Sequence, residues 1–104
     1  MSVNLIYITA GSMDEARSIG MELVAQRLAA CVNIIDSVNS MYWWKGEIRD
    51  EREVIIIAKT REELVPDLTE RVRAMHSYEV PCIVSLPILD GNGPFLDWIR
   101  EETC

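Results

Sequence analysis

One histidine, His76, stands in this 104-residue chain, and Glu79 follows it three residues later. Imidazole is the commonest transition-metal ligand among side chains. Cys31 would add a soft thiolate of the kind that suits copper(I). His76, Glu79 and Cys31 are therefore the candidate donors for copper or another divalent cation. One histidine is a thin ligand supply, and both His76 and Cys31 have a structural alternative. A partly cationic ring at His76 would cap the negative end of the helix before it. A lone cysteine often serves as a small buried hydrophobe.

A second group of residues suits ligand binding. Lys59-Thr60 ends an apolar run and begins a helical pattern, so Lys59 could hold an anion near a helix N-terminus or simply be solvated. Tyr42, Trp44 and Tyr78 could line a cleft between subunits or serve as interface packing, where aromatics carry much of the energy. No phosphate loop, nucleophile elbow or H-E-x-x-H pattern occurs. Nothing singles out a working pair among the 17 acidic residues. An enzyme is not expected.

Bulk composition narrows the partners. A chain of 104 residues makes one domain, residues 1–104, large enough to bury a core without staples. The net charge of −7 repels phosphate backbones, so nucleic acid is not expected as a partner. No apolar run is long enough to span a bilayer, and the N-terminus carries no basic and apolar leader. Three cysteines, with no C-x-x-C pair, argue against a disulfide framework or a structural zinc site. We expect a reducing cytoplasm, with Cys104 at the chain end as the most reactive thiol.

Periodicity supplies the elements. Residues 3–10 are apolar on both faces, as in a buried strand. Ser12 and Glu15 form an S-x-x-E capping box. The helix behind it stripes Ala16, Ile19, Gly20, Leu23, Val24 and Leu28, and is expected to end near Ala29. Strands follow over 31–44 and 47–59, joined by a tight Lys45-Gly46 turn. Thr60 and Glu63 suggest a second capping box, with Leu64, Leu68, Val72 and Met75 on one stripe. Pro66 makes that helix either bend or begin there. A strand over 82–88 and a short helix opening at Pro94 complete the chain. The order is that of an α+β ferredoxin-like βαββαβ sandwich with a long β2–β3 hairpin and a short C-terminal helix.

That hairpin is too long for its domain. A strand over 31–44 spans roughly 46 Å when extended, against a radius of gyration of about 13 Å for a domain of this size. Its tip is aromatic on both faces, with Tyr42 and Trp44 pointing one way and Trp43 the other. Exposed apolar patches of that kind usually mark an interface, so self-association is expected.

The motifs then resemble those of the CutA divalent-cation-tolerance family. Cys31-Val32-Asn33-Ile34 after Leu28-Ala29-Ala30 resembles its first motif, and Ser40 to Gly46 its S-x-Y-x-W segment. Glu53 with Ile55 to Thr60 is similar to the third. His76-Ser77-Tyr78-Glu79-Val80-Pro81 resembles H-P-Y-E-V-P, and Phe95-Leu96-Asp97-Trp98-Ile99 matches an aromatic-x-x-W-I end. Ser77 replaces the usual proline and Phe95 a frequent tyrosine, and both touch the expected cleft. The resemblance implies a homotrimer with sheets packed centrally, a link to copper and divalent-cation tolerance, and an architecture shared with PII-type signalling proteins.

Overall fold

A computed structural model describes residues 2–103, so the expectation for Cys104 lies outside the described residues. It contains β1 (Val3–Ala10), α1 (Met13–Ala25), β2 (Cys31–Trp44), β3 (Glu47–Arg61), a 3-10 turn (Glu62–Leu64), α2 (Val65–Met75), β4 (Ile83–Pro87) and α3 (Gly93–Glu102). The four strands form one sheet in the order β2-β3-β1-β4, with every neighbouring pair antiparallel. This is the ferredoxin-like arrangement expected from the alternation of periods two and 3.6.

The core lies between the sheet and the pair α1 and α2. Ile6, Ile8 and Ala10 of β1 and Val54, Ile56 and Ala58 of β3 point into it. Ala16, Ile19 and Leu23 of α1 and Leu68 and Val72 of α2 meet them from above. The opposite sheet face is only partly covered. Ile99 of α3, a helix that packs on β3 and β1, is buried, whereas Val84 and Leu86 of β4 and Ile35 of β2 remain exposed.

Two helix ends differ from the sequence expectation. α1 stops at Ala25, not near Ala29, because Arg27 takes a left-handed φ of 57° that no helix continues. Val24 therefore lies outside the buried stripe. The second capping box does not form. β3 runs on through Arg61, so Thr60 is a strand residue whose buried hydroxyl has no hydrogen-bond partner among the described residues. α2 instead begins at Val65 with Pro66 in its first turn, where a missing N–H costs nothing. At α1 the first capping box holds in part. Ser12 accepts from the Glu15 N–H at 3.1 Å, but Glu15 reaches back to the Gly11 N–H instead of that of Ser12.

The hairpin is as long as its sequence suggests, and the molecule is 44 Å along its long axis against 25 and 22 Å across. β1 pairs with β3 only from Val54 to Arg61. Residues 47–53 of β3 have β2 as their sole strand neighbour, so this half of the hairpin is an arm. On one face of the arm Met41, Trp43 and Ile48 are 66–72% exposed. A register shift between Asp36 and Val38 marks the point where the arm leaves the body.

Lys45 and Gly46 both have positive φ, 50° and 81°, the pattern of a tight two-residue turn that matches strand twist. Nothing lies within 4 Å of a Cβ built on Gly46, so a side chain there would add backbone strain alone. Gly46→Val is expected to lower stability by about 1–2 kcal/mol. Urea unfolding at fixed protein concentration measures it, and an unchanged midpoint would contradict the turn geometry.

Candidate functional site

The sheet face opposite α1 and α2 continues from β1 along the arm. Tyr7 and Thr9 of β1 lead to Glu53, Glu51 and Arg49 of β3, because odd-numbered β3 residues all face this way. Tyr42 lies directly across from Arg49, and Ser40 from Glu51. The segment between α2 and β4 closes the far side with Tyr78, Glu79, Val80 and Cys82. The result is a cleft of about 650 Å³, within the range of small-molecule sites.

Tyr78 forms the hinge between loop and sheet. Its hydroxyl donates to Glu53 Oε2 at 2.9 Å. Its ring tilts against His76, with centroids 4.6 Å apart. Gly11 permits this approach, since a Cβ there would meet the Tyr78 hydroxyl at 3.3 Å. Burial, then the hydrogen bond to Glu53 and that carboxylate's charge, push the Tyr78 hydroxyl well above its ordinary value. It remains a proton donor through the physiological range. Burial also raises the Cys82 thiol, which disfavours its thiolate form.

His76 has a different environment from a free ligand. Its side chain is fully buried. Nε2 lies 2.7 Å from the Thr9 carbonyl oxygen, and Nδ1 accepts from the Tyr78 N–H at 3.1 Å. That pairing sets the tautomer, with the proton on Nε2. His76 is thus the C-cap of α2 and a clamp between that helix end and β1. Glu79 is exposed and pairs with Lys45 at 3.6 Å.

Cys31 and Lys59 lie elsewhere. They are cross-strand neighbours, with Lys59 Nζ 3.7 Å from Cys31 Sγ and donating to the Asn33 side-chain oxygen Oδ1. Lys59 also stands 6.0 Å over the Phe95 ring. Lys59 pairs with Leu5 on β1, four residues from Thr9, where His76 docks. At strand spacing, four residues along β1 and two strands across place Cys31 on the order of 16 Å from Thr9, where the histidine docks. Among the described residues no three His, Cys, Asp or Glu side chains gather in a group able to hold a metal ion.

Of the residues singled out from sequence, the fold brings Tyr42, Trp44, Tyr78 and Glu79 to the cleft and His76 to its back wall. Lys59 and Cys31 stay outside it, and so does Phe95. Sequence reasoning missed Glu53, Glu51, Arg49, Tyr7, Thr9 and Cys82 as lining residues. Glu53 had a usable signal. It is an acid directly preceding the apolar run Val54-Ile55-Ile56-Ile57, where a solvated charge is least expected.

Glu15 supports the wall from behind. Oε1 accepts from the Gly11 N–H at 3.1 Å and Oε2 from the Ser77 N–H at 2.8 Å, while His76 Nδ1 lies 3.8 Å away. Proline at position 77 would have no N–H to give. Burial alone would raise the Glu15 carboxyl. The hydrogen bonds from Ser77 and Gly11, with the His76 ring, outweigh it and hold the group below its ordinary 4.5.

The comparisons with known proteins bear on the family and the fold. Residues 4–102 match the family model described as CutA1 divalent ion tolerance protein. The divalent-cation tolerance protein CutA of Thermus thermophilus is 48% identical over 99 residues, covering 95% of this chain and 96% of that protein. Human protein CutA is 43% identical over 102 residues, which is 98% of this chain but 57% of the human protein. The chain thus spans little more than half of that longer relative. A structure described as the periplasmic divalent cation tolerance protein CutA from Archaeoglobus fulgidus superposes with a TM-score of 0.93 at 47% identity, covering 96% of this chain and 97% of that one.

The lowered Glu15 value has a definite sign. A depressed carboxylate stabilises the fold above its unfolded value, and that contribution is lost as pH falls through the lower folded value. Glu15→Gln should therefore unfold about 1 kcal/mol more easily at pH 7. The gap should close as pH drops below 4.5. Thermal unfolding of both proteins across pH 3 to 7 measures this, and a gap that stays constant would contradict the charge-based account.

Proposed function

The chain belongs to the CutA1 divalent ion tolerance family, and from that membership we propose that it works as a cytoplasmic homotrimer in tolerance to divalent cations, copper among them. The observation that carries the assembly is the arm. Met41, Trp43 and Ile48 project from the body on a two-stranded ribbon with no third strand beside it. An isolated ribbon is marginal in water, and its exposed apolar stripe asks for cover. A second copy of the chain supplies both, and the exposed Val84 and Leu86 of β4 offer further apolar surface on the opposite sheet face.

The cation chemistry does not reside in a preformed centre within one subunit. His76 already uses both ring nitrogens, Glu79 pairs with Lys45, and Cys31 stands by Lys59. These donors do not fit a resident copper ion in a single chain. We therefore assign tolerance to the assembled protein. A second reading, a PII-like sensor that binds a small ligand beside the arm, is supported by the cleft itself.

Both parts of the proposal meet in one experiment. Trp43→Asp places a charge in the exposed stripe and leaves the cleft face untouched. Sedimentation equilibrium at micromolar concentration should give about three subunit masses for the wild type and fewer for the variant. Cells lacking the protein should stop growing at lower copper, with growth restored by the wild type and not by the variant. A monodisperse wild-type monomer would overturn the assembly. Full restoration by a monomeric variant would separate tolerance from assembly.

A further inference from the structure

Glu53 is an anomaly in the cleft. It is only 6% exposed, yet among the described residues no Lys, Arg or His nitrogen lies within ion-pair distance. Among the described residues its side-chain hydrogen bond comes from the neutral Tyr78 hydroxyl. Burying a carboxylate is costly unless a positive partner accompanies it. The nearby bases are already committed. Arg49 pairs with Glu51 and Lys45 with Glu79, each at 3.6 Å. The cleft therefore holds three carboxylates, with one negative charge left over at its buried end.

The walls limit which cation could balance that charge. Tyr42 and Trp44 of β2 and Tyr78 of the loop present aromatic surface to the same cleft. Rings attract organic cations through their negative faces and contribute apolar contact besides. A metal ion would need several donors, and no cluster of three is present among the described residues. An anion would meet net negative charge.

We propose that the cleft binds a small organic cation of the alkylammonium class, its charge set against Glu53 and its carbon frame against Tyr42, Trp44 and Tyr78. The inference rests on the small-ligand reading of the cleft and names its ligand chemistry. Tyr78 acts here as a positioning residue, because its hydroxyl holds the Glu53 carboxylate by one oxygen.

Choline and its uncharged isostere 3,3-dimethyl-1-butanol test this directly. Calorimetric titration of the assembled protein should show saturable choline binding, with the isostere at least about tenfold weaker. Glu53→Gln should weaken choline by a similar factor. Because that variant could also disturb the loop, Trp44→Leu serves as an independent check and should weaken choline while sedimentation stays unchanged. Lys59→Ala, outside the cleft, should bind as the wild type does. Equal affinity for choline and the isostere would overturn the cationic class yet leave the small-ligand reading standing. No binding of either compound would overturn the inference together with that reading. Unchanged choline affinity in Glu53→Gln would overturn the role given to the buried carboxylate. Loss of trimer in Glu53→Gln, with no choline binding by the wild type, would overturn it in favour of a neighbouring copy's basic side chain at Glu53.

Discussion

β3 is longer than β1, and the remaining features follow from that mismatch. The two strands pair from Val54 to Arg61, and β3 then runs on to Glu47 with only β2 beside it. The last paired residues form the core. The next one outward, Glu53, sits at the corner where the sheet loses a strand. An acid is tolerable there because the 76–82 segment folds across the corner and brings Tyr78 to its carboxylate. Farther out the arm has no body beneath it. Its two faces diverge in character, with the cleft on one and the exposed Trp43 and Ile48 on the other, while Met41 borders both.

The corner is also where the helices and the site are tied together. α2 ends at His76, whose ring joins Thr9 of β1 to the backbone of Tyr78. Glu15, one turn into α1, takes the Gly11 and Ser77 N–H groups. A helix start, a helix end and a strand end thus converge behind one aromatic ring. Ser77 contributes through its N–H, so the departure from the family's usual proline adds a hydrogen bond in place of a rigid ring.

Much of this was legible in the sequence, for physical reasons. Strand and helix periods differ enough to give the βαββαβ order, and β2 and α3 begin close to their expected positions. The length of the 31–44 run predicted an arm, and the 44 Å long axis bears that out. Helix ends were harder. Thr60 reads equally well as an N-cap and as a β-branched strand residue, and pairing with Asn4 of β1 decided for the strand. Arg27 has no sequence feature that announces a left-handed φ. The cleft was half visible. Tyr42, Trp44 and Tyr78 stand out by type, but Glu53 is one of 17 acids until the register places it at the corner. The metal candidates were chosen by donor chemistry alone, and sheet register separates Cys31 from His76 by several residues.

The proposed assembly makes the arm a structural part of the protein and not an appendage, and backbone hydrogen exchange tests that most directly. Amides with solvent-exposed, lightly packed hydrogen bonds open at far lower free energy than core strands. In the assembled protein the account predicts slow exchange for residues 38–44 and 47–53, approaching that of β1. Fast exchange of the arm in a protein whose β1 amides are well protected would contradict it, because the ribbon would then stand alone in solution.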